Sequence, residues 1–196
     1  MASEVSICNL ALSHIGANAT ISALSEQSEE AFHSNLLYAE ARDSVLRSFP
    51  WGFAKRHIAL TDSGSPPGNW LYRYAYPNAC LVAQEILQTD VASDPIKYEL
   101  ALSDAFNSRV ILTNQENAVL IYTHSVTNPQ VFDPLFVQLL SWKLAADLAM
   151  PLTRDYKRME AAYQMYTSLT SEAKTLDANE SQITASREAA WITGRA

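Results

Sequence analysis

Six residues, Phe49-Pro50-Trp51-Gly52-Phe53-Ala54, constrain this chain more than any other stretch. A long helical pattern precedes them and a run of β-type segments follows. Proline lacks a backbone donor and biases the residue before it away from helical angles, while glycine relaxes the backbone. Phe49, Trp51 and Phe53 crowd the same positions. The stretch reads as a hinge with a hydrophobic anchor, and any fold must join two unlike halves across it.

Before the hinge, Ser3 is placed to cap a first helix in which Ile7, Leu10, Ala11 and His14 share a face, and Gly16 stands where a C-terminal stop belongs. His14 sits on that apolar stripe without a second ligand nearby in sequence, so it reads as a core residue and not a metal site. A second helix is expected from residue 25 to about residue 48, with Glu26, Glu29 and Glu30 favoured by the helix dipole at its start. Phe32, Leu36, Ala39, Leu46 and Phe49 recur at roughly helical spacing, and Asp43 to Arg47 is an i,i+4 ion pair in the favourable order. Adjacent helical positions point about 100° apart. Glu29 and Glu30 therefore do not converge as an acid/base pair.

After the hinge, residues 55–60 read as a strand and residues 61–69 as a loop marked by Gly64, Pro66, Pro67 and Gly68. Trp70, Tyr72, Tyr74 and Tyr76 alternate with Leu71, Arg73 and Ala75, a period of two that puts four aromatics on one strand face. Residues 81–87 make another strand, and Ile96, Tyr98, Leu100 and Leu102 alternate with polar or small residues in a two-faced one. Residues 109–113 and 118–123 flank the turn-like 114–117 and are expected to pair as a hairpin, the whole forming an antiparallel sheet. The aromatic ladder with Arg73 has the ingredients of a base-stacking surface. One arginine in an acidic chain favours packing in a core or against another subunit instead.

Asp133-Pro134 opens a third helix that is apolar almost all round until Pro151 stops it, the pattern of a helix central to its domain. Lys143 and Asp147 interrupt it, and at this length it falls short of the ~20 residues needed to span a bilayer. Thr153 is placed to cap a last helix whose stripe is Tyr156, Met159, Tyr163, Tyr166, Leu169, Ala173 and Leu176. Beyond about Asp177 the chain turns polar, yet Trp191 and Ile192 stand near its end. The residues leave two readings of Trp191 open: docking on a partner, or folding back onto the last helix.

At 196 residues, 48% apolar and 18% charged, the chain is sized and balanced for one folded domain. Its formal charge of −7, with no long Lys/Arg run, disfavours duplex DNA binding but suits a surface past which DNA slides. Cys8 and Cys80 lack CxxC spacing and read as buried free thiols. The N-terminal residues carry no signal-peptide pattern, so synthesis and folding in a cytoplasm are expected. Phosphate-binding, nucleophile-elbow, metalloprotease and EF-hand motifs are missing, and His14, His33, His57 and His124 are scattered. No catalytic residue, cofactor or metal is expected, and an interaction or structural protein is favoured over an enzyme. A cell-wall or glycan hydrolase, using two carboxylates from distant positions, is the alternative.

Five stretches in order carry a family resemblance: ICNLALSHIG (residues 7–16), ARDSVLRSFPWGFAKRHIAL (41–60), YRYAYPNACL (72–81), ILTNQENAVLIYTHSVTNPQVFDPLF (111–136) and LLSWKLAADLAMPLT (139–153). Over about residues 4–176 the chain resembles the head-to-tail adaptor proteins of tailed bacteriophages, the group of tail tubular protein A. Asn78 departs from the family, in which an acidic residue is expected after the Tyr-Pro turn. The resemblance implies an α+β fold, mainly a helical bundle (residues 1–50 and 131–180) with an inserted antiparallel β-rich region (51–130), together a single adaptor domain over 1–180. It also implies an extended C-terminal docking tail over 181–196.

The implied role is a structural connector of the virion, made in the host cytoplasm and placed at the head–tail junction. Copies form a homo-oligomeric ring, expected to be dodecameric, beneath the portal protein. The ring extends the DNA channel without specific DNA binding and presents a surface to the tail nozzle or another tail protein, with no membrane partner. The tail would reach the portal through Arg187, Trp191, Ile192 and Arg195.

Overall fold

The structure is a computed structural model that describes residues 2–17, 19–88, 94–103 and 107–180, the stretch 174–180 by backbone alone. Among these residues the fold is α+β, with helices α1 (Glu4–His14), α2 (Glu29–Ser48), α3 (Pro134–Thr153) and α4 (Tyr156–Glu180). Between α2 and α3 run β1 (Lys55–Ala59), β2 (Tyr72–Ala75), β3 (Cys80–Ile86), β4 (Tyr98–Leu102), β5 (Arg109–Thr113) and β6 (Val119–His124).

The helix ends follow their capping chemistry. Ser3 and Ser6 form a reciprocal capping box, the Ser6 amide donating to Ser3 Oγ at 3.1 Å and the Ser3 amide to Ser6 Oγ at 2.8 Å. Gly16 ends α1 at φ +67°, and the guanidinium of Arg158 lies 3.2 Å from where a Cβ would stand while donating to the Ile15 carbonyl. Glycine is thus demanded there by both backbone and neighbour. α2 starts at Glu29 and not near residue 25, because the Ser28 hydroxyl accepts from the Ala31 amide at 3.3 Å and caps it. Asp133 caps α3 as expected, accepting from the Leu135 amide at 2.7 Å.

α3 does not stop at Pro151. It runs on to Thr153, where Arg154 at φ 54° closes it. In the last turn the proline forfeits one intrahelical donor without a following turn to break. Thr153 consequently lies inside α3, its hydroxyl donating to the Ala149 carbonyl, and the capping of α4 passes to Asp155, which accepts from the Lys157 amide at 2.9 Å.

α3 is the central helix and packs against α1, α2 and α4. Phe136, Leu139, Leu140, Leu144 and Leu148 are all essentially inaccessible, and Ile7, Leu12, Val45 and Leu46 meet them from α1 and α2. Each such burial contributes about 1.5–3 kcal/mol. With 20 residues, α3 is also long and apolar enough to cross a membrane, contrary to the sequence estimate, yet half of its apolar window is buried by its neighbours.

Helix faces depart from expectation in three places. The inward face of α2 is Ala31, Ser34, Tyr38, Ala41, Arg42, Val45 and Leu46. Phe32, Leu36 and Ala39 point outward instead. Asp43 pairs with Arg42 at 2.8 Å, while Arg47 donates to the Leu81 carbonyl, so the expected Asp43–Arg47 pair gives way to these partners. On α1, Leu10 is exposed while Ile7 and Ala11 are buried. On α4, Met159, Ala162, Tyr166, Leu169 and Ala173 seat against the core, leaving Tyr156 and Tyr163 exposed.

The strands form two antiparallel sheets, β1-β6-β3 and β2-β5-β4. β5 and β6 therefore do not make the expected hairpin. Each is the central strand of its own sheet, and residues 114–118, with Asn117 at φ 51°, carry the chain across the space between them. Both strands are buried along most of their length, and the central position gives each a hydrogen-bonded neighbour on both edges, leaving the more exposed strands at the margins.

Pairing of Tyr74 with Ile111 and of Leu100 with Ile111 places Tyr72, Tyr74 and Tyr98 on one face. That face packs on Ile86, Leu120 and Tyr122 of the other sheet. Trp70 lies outside β2, its indole donating to Glu99, so the aromatic ladder reduces to tyrosines. Those tyrosines are packing residues.

Candidate functional site

The chain crosses between helices and sheets twice, once at residues 49–54 and once at residues 126–132, and one aromatic cluster pins both crossings. Pro50 keeps Phe49 extended at φ −154°, and residues Gly52–Ala54 close a single 3₁₀ turn. That geometry drives Trp51 inward to 5% exposure, its Nε1 donating to the Val45 carbonyl at 3.1 Å. The Trp51 ring meets Phe136 edge-on at 5.2 Å, Phe53 meets Phe136 at 5.1 Å, and Phe132 meets Phe136 at 4.8 Å. Such pairs each add about 0.5–1.5 kcal/mol beyond the area they bury. The stretch is a packed joint between the helices and the sheets, with Trp51 and Phe53 as anchors.

Beside the joint lies a cleft of about 460 Å³ lined by Phe49, Trp51, Phe53, Gln130, Phe132 and Asp133, among others. Among the described residues Asp133 is the carboxylate that lines it, and a side-chain oxygen of that residue is already engaged at the Leu135 amide.

His14 stacks face to face on Trp142, with ring centroids 3.7 Å apart and planes within 4°. Its Nε2 lies 3.1 Å from Ser141 Oγ, which in turn stands 2.8 Å from the Gln138 carbonyl, so the ring and the hydroxyl share one hydrogen-bonded chain. Burial lowers the His14 pKa. The ring is half-buried, held by Trp142 and Ser141, and lies at the margin of the core its stripe pointed to.

Burial pushes the Cys8 thiol up to about 12 and raises Cys80 as well, which keeps both in the unreactive thiol form. Tyr76 carries the Arg109 guanidinium 4.1 Å above its ring, and burial pushes its phenol up to about 12. Among the described residues no cluster of His, Cys, Asp or Glu has a metal-binding arrangement.

What the described surface offers is contact area. Phe32 is 64% exposed and Leu36 62% on α2, while Tyr156 is 62% and Tyr163 55% exposed on α4. β1 is exposed along its whole length, and Leu100 and Leu102 protrude from the edge strand β4. Sequence reading missed the helical patches because it assigned the largest apolar residues to the interior. The signal was present in the run Ser34, Tyr38, Ala41, Val45, which is less apolar but shares one helical face. The expected portal contacts Arg187, Trp191, Ile192 and Arg195 lie outside the described residues. No family model matches the chain, and no curated protein matches it.

Proposed function

We propose that this protein is a head-to-tail adaptor of a tailed bacteriophage, a structural subunit that forms a ring under the portal, extends the DNA channel and receives the tail. The ordered sequence motifs suggest the family. The observation that carries the reading is the aromatic joint, where Trp51, Phe53, Phe132 and Phe136 clamp both crossings between the helices and the sheets. A ring subunit has to hold its two faces at one fixed angle, since a small rotation repeated around a ring prevents closure. In this reading the four helices are the bundle of the adaptor, the two sheets are its inserted β-rich region, and residues 181–196 are the docking tail, with Arg187, Trp191, Ile192 and Arg195 on the portal. The formal charge of −7 leaves DNA mobile in the channel.

A hydrolase would need two carboxylates across a cleft. Among the described residues Asp133 is the carboxylate lining the joint cleft, while smaller clefts carry Glu40 with Asp147 and Glu30 with Asp155. Turnover of host glycans by the pure protein would therefore overturn the adaptor reading. Electron microscopy of the protein mixed with the portal protein of the same virion tests the proposal. A second ring stacked on the portal is the expected result, and portal rings that remain bare overturn it. Removal of residues 181–196 is expected to abolish stacking while leaving the far-ultraviolet circular dichroism of the remaining chain folded.

A further inference from the structure

We infer that the outward face of α2 docks on the outward flank of α4 in a second copy of this chain, an inference that rests on the ring reading and names its lateral contact. Phe32 and Leu36 stand one helical turn apart on the face of α2 turned away from Val45 and Tyr38. Tyr156 and Tyr163 stand two turns apart on α4, beside and not among the residues that seat it on α3. Both are apolar stripes that the described part of a single copy leaves uncovered, and tyrosine and phenylalanine are the residue types enriched in contact surfaces.

Charge selects the pairing. The α2 stripe is bracketed by exposed Glu29 and Glu40, with no exposed Lys or Arg on α2 before Arg47. The α4 stripe begins beside exposed Arg154 and Lys157. An α2-to-α2 contact would set acids on acids, whereas α2 on α4 brings Glu29 and Glu40 to a flank of mixed sign whose exposed cations are Arg154 and Lys157. Glu160 stands on the α4 stripe one turn from Tyr156 and from Tyr163, and supplies a hydrogen-bond acceptor there. Two different faces joined in this way make a head-to-tail contact, the kind that propagates from copy to copy and closes into a ring when its rotation permits.

The test is a cross-link between exposed positions with a short bis-maleimide, which joins two thiols without an oxidant. Chains carrying Leu36→Cys and chains carrying Tyr163→Cys are treated separately and as a mixture, with and without portal protein. Wild-type chain serves as the control, because Cys8 and Cys80 are buried. Cross-linked dimer in the mixture, absent from either variant alone, is the expected result. Dimer formed within one variant, or none in the mixture under either condition, overturns the pairing. A portal-stacked ring without the cross-link would leave the adaptor reading standing and remove this contact, while the cross-link without stacking would do the reverse. Both substitutions replace exposed side chains, and unchanged thermal unfolding of each variant verifies that the fold is intact.

Discussion

The core under α3 and the core between the two sheets are filled by different chemistry. Around α3 the contacts are aliphatic and aromatic, with Phe136, Leu139, Leu140, Leu144 and Leu148 shut off from solvent on a helix that three others surround. Between the sheets the core is smaller and rich in tyrosine. Tyr74 donates to the Gln115 carbonyl at 3.0 Å, and Tyr98 to the Ala83 and Gln84 carbonyls at 3.0 and 3.2 Å. β1 and β4 leave edges open. The contrast teaches that the helical part is closed and the β part depends more on individual hydrogen bonds, so local opening should begin among the strands.

Four measurements put this contrast to the test. Phe136→Ala removes the ring shared by Trp51, Phe53 and Phe132 and is expected to destabilise the protein by about 3–5 kcal/mol in denaturant unfolding. A loss below about 1 kcal/mol would mean that the joint is not a common anchor.

Thiol labelling compares the two regions directly, since Cys8 lies under the helices and Cys80 in β3. In mild denaturant Cys80 is expected to label at least about tenfold faster, equivalent to roughly 1.4 kcal/mol easier opening. Cys8→Ala and Cys80→Ala chains assign the signals. Equal rates would show one cooperative unit and erase the distinction.

A hydroxyl deletion probes the β part more finely. Tyr98→Phe strips a donor from two carbonyls and should cost about 1 kcal/mol, whereas Tyr163→Phe on the exposed α4 flank should stay within about 0.5 kcal/mol. The reverse order in urea midpoints would refute the view that the β part depends on its buried hydroxyls.

The smallest effect expected is the pH response of His14. Its folded pKa is depressed by burial below the ordinary 6.5, so the unfolded chain binds the proton more readily. Its contribution is complete above about pH 6.5 and is lost as pH falls through the folded pKa. Denaturation midpoints followed from about pH 7 to about pH 5 should fall less in His14→Gln than in the wild type, and parallel curves would place the titrating group elsewhere.

Much of this architecture was legible in the chain because its signals are local. The Ser3 cap, the Gly16 stop, the Asp133-Pro134 start and the all-round apolarity of α3 each depend on residues within a turn or two of one another. The anchoring role of Trp51 and Phe53 also followed from the hinge they occupy. The failures were of partnership. Residues 109–113 and 118–123 looked like a hairpin by proximity, but nothing in either strand says that its neighbour belongs to another sheet. Phe32 and Leu36 looked buried by hydrophobicity, although the helix turns Ser34 and Tyr38 to the core instead.

From its own residues the chain specified which segments become helix or strand, the start of α1 and of α3, and that two unlike halves meet at Phe49–Ala54. Capping, proline geometry and periodicity act over a few residues and need no other contact. Tertiary packing was needed to divide the strands into two sheets and to leave Phe32, Leu36, Tyr156 and Tyr163 outside. Those outcomes depend on which surfaces compete for the same buried space, and that competition is settled only when α3, the joint and both sheets pack together.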